Sequence, residues 1–249
     1  MKILKQTSYF SLVIDYICIL NDYALMCGTI HIVQGTQKRE KRGINMKIIA
    51  VGWNYRDHNT EMGRKEECGN PVVFLKPETA LLKDGKPLFL PPFSNRIEHE
   101  AEVVVRICRV GKNVAPRFAH RYYDALTLGV DFTARDLQQE LRNAGAPWEL
   151  AKGFDGSAAI GTWIPKEELP LETGIDFSLQ LNGTTVQQGN TRDMIHNIDN
   201  IIAYVSRFFT LKMGDILYTG TPSGVGTVAI DDHVTGYLGD KKVLEFNIK

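Results

Sequence analysis

Cysteine is scarce in this 249-residue chain, and neither sign of charge prevails. Cys18, Cys27, Cys68 and Cys108 form no C-x-x-C pair and no finger-like spacing. That pattern argues against a zinc finger or a disulfide framework and predicts reduced thiols in a cytoplasmic protein. Lys plus Arg and Asp plus Glu both number 29, so no basic field is present to draw nucleic acid. Long apolar runs are missing too. The most apolar stretch, 8–33, is broken by Asp15, Asn21 and Asp22. It falls short of the roughly 18 apolar residues that a spanning helix needs. Asp15 also interrupts what would have to be the apolar core of a signal peptide. The expectation is neither a membrane span nor export. Internal repeats and low-complexity segments are absent as well.

What the chain does have is enough apolar material, 43% of residues, to bury a core without staples. Its character breaks at "QKREKRGIN" (37–45), a charged segment followed by the buried-strand pattern "MKIIAVGWNY". Residues 1–45 carry six Lys or Arg against three Asp or Glu, which leaves the remainder slightly acidic. The expectation is an N-terminal appendage over 1–45, or an upstream translation start, with the working domain over 46–249.

Within 46–249 the pattern is strand-rich. "KIIAVG" and "VVFLK" are apolar and β-branched, and "IEHEAEVVVRICRV" passes from alternation into a buried run. Two hairpins are predicted, "ALLKDGKPLFLP" around Asp84-Gly85 and "FSLQLNGTTVQQG" around Asn182-Gly183. Helical spacing marks "PRFAHRYYDALTLG" and, more clearly, "NIDNIIAYVSRFFTL". "GDILYTGTPSGVGTV" reads as a strand entering a Gly-rich loop. Strands and helices do not alternate regularly, which disfavours a doubly wound sheet. An α+β, β-rich class follows.

Five segments carry residues suited to chemistry. In "EHEAE", Glu98, Glu100 and Glu102 project from one strand face just before a run that must be buried. Crowded carboxylates at such an edge call for a cation or a proton, and hard oxygen ligands suit Mg²⁺, Mn²⁺ or Ca²⁺. A solvated strand edge fits the same pattern. In "GVDFTARDLQ", Asp131 offers a third carboxylate or a helix cap, and Arg135 offers a two-pronged contact to a substrate carboxylate. In "GWNYRDHNTEMG", His58 and Glu61 share a face if the segment is helical, as an oriented general base requires. A surface ion pair would look the same. Lys152 in "WELAKGFDG" sits among small and apolar residues, where an ammonium stabilises an oxyanion; it equally fits an ordinary surface lysine. The glycines Gly220, Gly224 and Gly226 let backbone approach an anion or simply make a turn. The Lys-Ser/Thr end of a nucleotide loop is absent.

Taken together, "VGWNYRDHNTEMG", "FLKP", "HEAEVVVRI", "DFTARDLQ", "AKGFDG" and "GDILYTGTPSGVG" resemble, in this order, the fumarylacetoacetate hydrolase superfamily. The likeness is greatest to its small single-domain branch of acylpyruvate hydrolases and oxaloacetate decarboxylases, and it covers nearly all of 46–249. The resemblance implies a mixed β-roll of that family's C-terminal type, usually a homodimer. It implies Glu100, Glu102 and Asp131 as ligands of Mg²⁺ or Mn²⁺ (Ca²⁺ being a further option), with Glu98 outside the ligand set. His58 and Glu61 match the water-activating dyad, and Lys152 the active-site lysine. Arg135, Gln138 and Thr221 match positions that hold a small 2-oxo acid. The implied activity is cleavage of the C–C bond of acylpyruvates through a metal-bound pyruvate enolate, with oxaloacetate decarboxylation alongside. Isomerisation or decarboxylation of 2-hydroxy-dienedioates and oxaloacetate tautomerisation use the same chemistry and stay open. Trp53 departs from the commoner Gly-Arg-Asn-Tyr pattern and removes a cation near the dyad.

Overall fold

The computed structural model describes residues 46–63 and 69–249. The expected appendage, and Cys18, Cys27 and Cys68, lie outside the described residues. Cys108 is a free thiol. Among the described residues, no helix is long and apolar enough to cross a membrane.

Fifteen strands are the main regular elements of the described residues. They are β1 (Ile48–Gly52), β2 (Val72–Lys76), β3 (Leu81–Leu82), β4 (Ile97–His99), β5 (Ala101–Ile107), β6 (Tyr123–Asp131), β7 (Thr133–Ala134) and β8 (Ala158–Ile160). They continue with β9 (Ile164–Pro165), β10 (Asp176–Leu181), β11 (Thr184–Asn190), β12 (Ile216–Tyr218), β13 (Gly226–Thr227), β14 (His233–Leu238) and β15 (Lys241–Asn247). The helices are short: α1 (Arg56–Glu61), α2 (Pro116–Ala119), α3 (Arg135–Asn143), α4 (Glu149–Lys152) and α5 (Ile198–Val205).

The largest sheet runs β2-β1-β12-β5-β6-β8-β3, with β9 also on β6. It is mixed, because β1 pairs β12 and β3 pairs β8 in parallel while its other pairings are antiparallel. A four-stranded antiparallel sheet, β11-β10-β14-β15, and the small sheet β13-β4-β7 complete a curled, mixed β-roll. Period-two alternation sorts the apolar residues of the large sheet. Ile49, Val51, Val103, Val105, Leu126, Leu128 and Val130 enter the main core. Ile48, Ala50, Val104, Ala158, Ile160 and Tyr218 form a second core on the other face.

Two local expectations fail. Asp84 and Gly85 do turn, both at positive φ, but no hairpin forms around them. Leu81 and Leu82 pair with Ala158 and Ala159, and Leu88 bridges Ile248. Pro87, just after the turn, removes a ladder donor and weakens the local pairing. The helix expected over 116–129 is one turn, α2, followed by β6. Leu126, Leu128 and Val130 satisfy a period of two as well as the helical one. Pairing on both sides, with β5 and β8, decides for strand. The hairpin at Asn182-Gly183 and the helix after Asn197 form as expected. Asn197 Oδ1 accepts the Asn200 N–H at 2.9 Å as a cap.

The β5–β6 register positions the site. Ala101 pairs Val130 and Glu102 pairs Gly129, so Glu100 stands opposite Asp131. The Asp131 N–H donates to Glu100 O at 2.8 Å. Gly129 is needed beside Glu102, because a Cβ there would lie 2.6 Å from Ala159 O and from Val104 Cγ2. Gly129→Ala is expected to lower stability by about 1–3 kcal/mol through overpacking. An unchanged urea midpoint would show that the sheet yields at this point.

Candidate active site

Two loops meet at the C-terminal ends of β1 and β12. Asn54, fully buried, donates through Nδ2 to Thr219 O at 2.7 Å and to His196 O at 2.9 Å. Its Oδ1 accepts the His196 N–H at 2.7 Å. The side chain therefore ties the turn before α1 to the end of β12. Gly220 adopts φ 97°, and a Cβ there would sit 2.7 Å from Asn54 Cβ. Only a glycine allows this approach. Its N–H donates to Glu102 Oε2 at 2.6 Å.

Around that junction the structure gathers the residues that the sequence singled out. One ligand atom each from Glu100, Glu102 and Asp131 lies within 4.8 Å of the other two, and all three residues are buried. Lys152, on α4, donates to Glu100 Oε2 at 2.7 Å and to Asp131 Oδ2 at 2.9 Å. Arg135 opens α3 and spends its guanidinium on carboxylates. Its Nε meets Glu98 Oε2 at 2.5 Å and its Nη2 meets Glu100 Oε1 at 2.5 Å. Its Nη1 donates to Gln138 Oε1 at 2.6 Å. Glu98 thus serves Arg135, and also Arg96, which lies 2.6 Å away. Asp131 caps no helix, since α3 starts four residues later.

His58 and Glu61 share one face of α1, with Nδ1 3.4 Å from Glu61 Oε2. A carboxylate only accepts, so the proton on this pair belongs to Nδ1, and the Nε2 lone pair is left over. Glu61 Oε1 also accepts the Gly224 N–H at 3.0 Å, which joins α1 to the Gly-rich loop.

His58, Glu100, Glu102, Asp131, Arg135 and Lys152 line one cavity of about 20 Å³, together with Thr221, Gln138 and the aromatic residues Trp53, Phe74 and Trp148. Wider clefts occur elsewhere, such as one of about 520 Å³ along His120, Tyr123 and Asp199. Among the described residues, the only cluster with metal-ligand geometry is the acidic one. Trp53 adopts φ 63° and stacks on His58 at 5.7 Å between ring centroids.

The electrostatics follow from burial. Burial and the neighbouring Asp131 and Glu100 push the Glu102 carboxyl well above the usual carboxylate range. Glu100 moves the other way, because Lys152 and Arg135 outweigh its burial. Burial alone would lower Lys152, but Asp131 and Glu100 raise it. Burial lowers His58 against the pull of Glu100 and Glu61, which leaves the imidazole neutral at pH 7. A triad whose members repel until one takes a proton fits a dication, and three hard oxygen donors suit Mg²⁺, Mn²⁺ or Ca²⁺.

Two polar residues escaped the sequence reading. Lys76 ends β2 fully buried, with Nζ 2.7 Å from Asp131 Oδ1 and a hydrogen bond to Lys152 O. Its signal was a lysine closing an apolar strand before Pro77. Gln187 bonds Thr221 from β11, with a polar residue at an inward strand position as its faint signal.

Comparison with known proteins bears on the family. A profile described as fumarylacetoacetate (FAA) hydrolase C-terminal matches residues 47–249. The rat protein named oxaloacetate tautomerase FAHD1, mitochondrial, is 39% identical over 202 residues, covering 81% of this chain and 91% of that protein. The structure of fumarylpyruvate hydrolase from Pseudomonas aeruginosa, in complex with Mn²⁺ and pyruvate, aligns with a TM-score of 0.77 at 32% identity. It covers 81% of this chain and 88% of that one. The structure of 5-carboxymethyl-2-hydroxymuconate delta-isomerase from Mycobacterium smegmatis aligns at 0.71 with 34% identity, over 81% and 78%. A match over nearly all of the described residues, carried by sequence and by fold alike, puts this chain in the fumarylacetoacetate hydrolase family, in its small single-domain branch.

Proposed function

We propose that this chain is a divalent-metal-dependent hydrolase that cleaves the C–C bond of acylpyruvates and also decarboxylates oxaloacetate. The observation that carries the reading is the convergence of Glu100, Glu102 and Asp131 beside Lys152, on the same cavity as His58, which Glu61 contacts from behind. Family members with hydrolase, isomerase and tautomerase names support an enzyme. The relative solved with Mn²⁺ and pyruvate supports the metal and a small 2-oxo acid substrate.

Glu100, Glu102 and Asp131 would hold Mg²⁺ or Mn²⁺, which would supply a Lewis acid for the 2-oxo acid. The protein does the rest. Thr221, Gln138 and Arg135 border the carboxylate end. His58, oriented by Glu61, takes a proton from water at Nε2, and the hydroxide adds to the distal carbonyl. The C–C bond then breaks, its electron pair passing to the pyruvate fragment as an enolate. That fragment takes the proton held at His58 Nε2 and leaves as pyruvate, while the acyl group leaves as a carboxylate whose acid proton passes to solvent. Lys152, charged and buried, offsets the negative charge of Glu100 and Asp131 throughout.

Trp53, Phe74 and Trp148 add apolar area to the cavity, with Lys152 Nζ 5.5 Å from the Phe74 ring centroid and Arg142 5.3 Å from that of Trp53; that apolar area favours an uncharged acyl group at the distal end. Oxaloacetate tautomerisation is the second reading, favoured by the identity to the rat protein. It needs no attack by water. A homodimer belongs to the same proposal, supported by exposed Phe89 and Phe93 beside Phe154.

Turnover of acetylpyruvate, fumarylpyruvate, oxaloacetate and a 2-hydroxy-dienoate, with Mn²⁺ withheld and restored, tests the reading. Acetylpyruvate hydrolysis that needs the metal is expected; full activity in EDTA would end the metal assignment. Tautomerisation of oxaloacetate without any C–C cleavage would select the second reading. Glu102→Gln is expected to abolish Mn²⁺ binding by calorimetry, and turnover with it. His58→Ala should keep Mn²⁺ affinity and lose about 10²- to 10⁴-fold in hydrolysis; unchanged hydrolysis would remove the dyad from the mechanism.

The pH profile carries a sign. Neutral His58 is the working form, and burial holds its pKa below the ordinary 6.5. Hydrolysis should therefore persist as pH falls through 6.5 and fade only below it. Glu61 raises the His58 pKa, so Glu61→Gln should move the acid limb to still lower pH. A limb that moves upward would contradict His58 as the base.

A further inference from the structure

Gln187 stands outside the cavity, at 2% exposure on β11. Its carboxamide is fully used. Oε1 accepts the Ala101 N–H at 2.8 Å and faces His99 Nδ1 at 2.9 Å. Nε2 donates to Thr221 Oγ1 at 2.9 Å and to Pro222 O at 3.1 Å. A backbone N–H can only donate and a backbone carbonyl can only accept. The amide is therefore locked against flipping, with oxygen toward Ala101 and nitrogen toward Pro222. His99 must then carry its proton on Nδ1.

The same lock fixes the hydroxyl of Thr221. An amide nitrogen cannot accept, so Thr221 Oγ1 receives the Gln187 proton and must send its own elsewhere. Its protein acceptor is Pro222 O, which lies at 3.4 Å and already takes a proton from Gln187. Thr221 also lines the cavity with Arg135, Gln138 and Lys152. An anionic oxygen there is the stronger acceptor. Ala101, the other anchor of Gln187, lies between Glu100 and Glu102, so one side chain ties the acidic strand to the Thr221 loop.

We infer that Gln187 is a positioning residue that turns the Thr221 hydroxyl into a hydrogen-bond donor toward the carboxylate of the 2-oxo acid. This rests on the proposed function for the identity of the ligand, and on the hydrogen-bond network for the role of Gln187. Gln187→Glu is the discriminating change. It keeps the accepting side toward Ala101 and His99 but replaces the donor with an acceptor. Thr221 then donates to residue 187 and is lost to the ligand.

The test is pyruvate binding to the Mn²⁺-loaded protein by calorimetry, with Mn²⁺ affinity and thermal midpoint measured alongside. A charge-assisted hydrogen bond lost from the ligand corresponds to about a tenfold or greater loss of affinity. Gln187→Glu and Thr221→Val should each show that loss, and the double variant should lose no more than Thr221→Val alone. KM for acetylpyruvate should rise while Mn²⁺ affinity holds. Thr221→Ser, which keeps the hydroxyl, should retain pyruvate binding. Losses that multiply in the double variant would show that Gln187 does not act through Thr221, and would overturn the inference while leaving the proposed activity intact. Thr221→Val with wild-type affinity would overturn it even if no Gln187 variant folds. A wild-type protein that binds Mn²⁺ but not pyruvate would bring down the proposed function as well.

Discussion

Four carboxylates are buried together in this protein against three buried cations. Glu98, Glu100, Glu102 and Asp131 face Arg135, Lys152 and Lys76, and every one of these groups is less than a tenth exposed. Taking each ion out of water costs several kcal/mol, and mutual attraction offsets this only when geometry and hydrogen bonds are good. Here the pairings are good for Glu98, Glu100 and Asp131, and Arg96 adds a partner for Glu98 at the surface. Glu102 has instead a backbone N–H from Gly220 and two like-charged neighbours. A dication would remove that repulsion and make the cluster more positive, the direction that the proposed anionic 2-oxo acid requires. An arrangement so costly without an ion is hard to explain as a device for stability. It makes sense as a binding site prepared in advance.

The roll exists, from this viewpoint, to hold charges at fixed spacing. Strand register sets Glu100 opposite Asp131, and β-alternation places Glu102 on the same face as Glu100. Gly129 leaves room opposite Glu102 where a side chain would collide with the sheet. Asn54 and Gly220 then clamp the loop bearing Thr221 against the turn that launches α1. Helix α1 has six residues and no side-chain cap. Its position depends on such clamps and on the bond from Gly224 to Glu61 rather than on intrinsic helicity. The His58–Glu61 pair is therefore held by tertiary contacts, and the acidic triad by a sheet.

This division explains what could be read from the sequence. Local periodicity already predicts a shared face for Glu100 with Glu102 and for His58 with Glu61, whereas the meeting of these motifs with Asp131 was implied only by the family resemblance. The strand β6 was not, because Leu126, Leu128 and Val130 satisfy two periods and only its neighbours on both sides decide between them. The turn at Asp84-Gly85 was visible in its residues, whereas its lack of a hairpin depends on partners more than 70 residues away. Lys76 and Gln187 belong to the same class. Each is a single polar residue on an otherwise ordinary strand, and each gains meaning only from a partner brought in by the fold.

The lining of the cavity bears on which reaction the scaffold runs. The buried cations Lys76, Arg135 and Lys152 are each already engaged by a carboxylate. The aromatic residues of the cavity lie close to charge: Phe74 and Trp148 are in edge contact at 6.2 Å, Trp53 stacks on His58, Lys152 Nζ lies 5.5 Å from the Phe74 ring centroid and Arg142 lies 5.3 Å from that of Trp53. A cation over a ring face is attracted by the negative quadrupole there. The rings thus help to hold Lys152 while adding apolar area, against which the uncharged acyl group of the proposed substrate would pack. Trp53 holds this position at a backbone conformation that bulky residues seldom adopt. Strain retained at a wall of the cavity, rather than relaxed by a glycine, ties the aromatic surface to the work of the site.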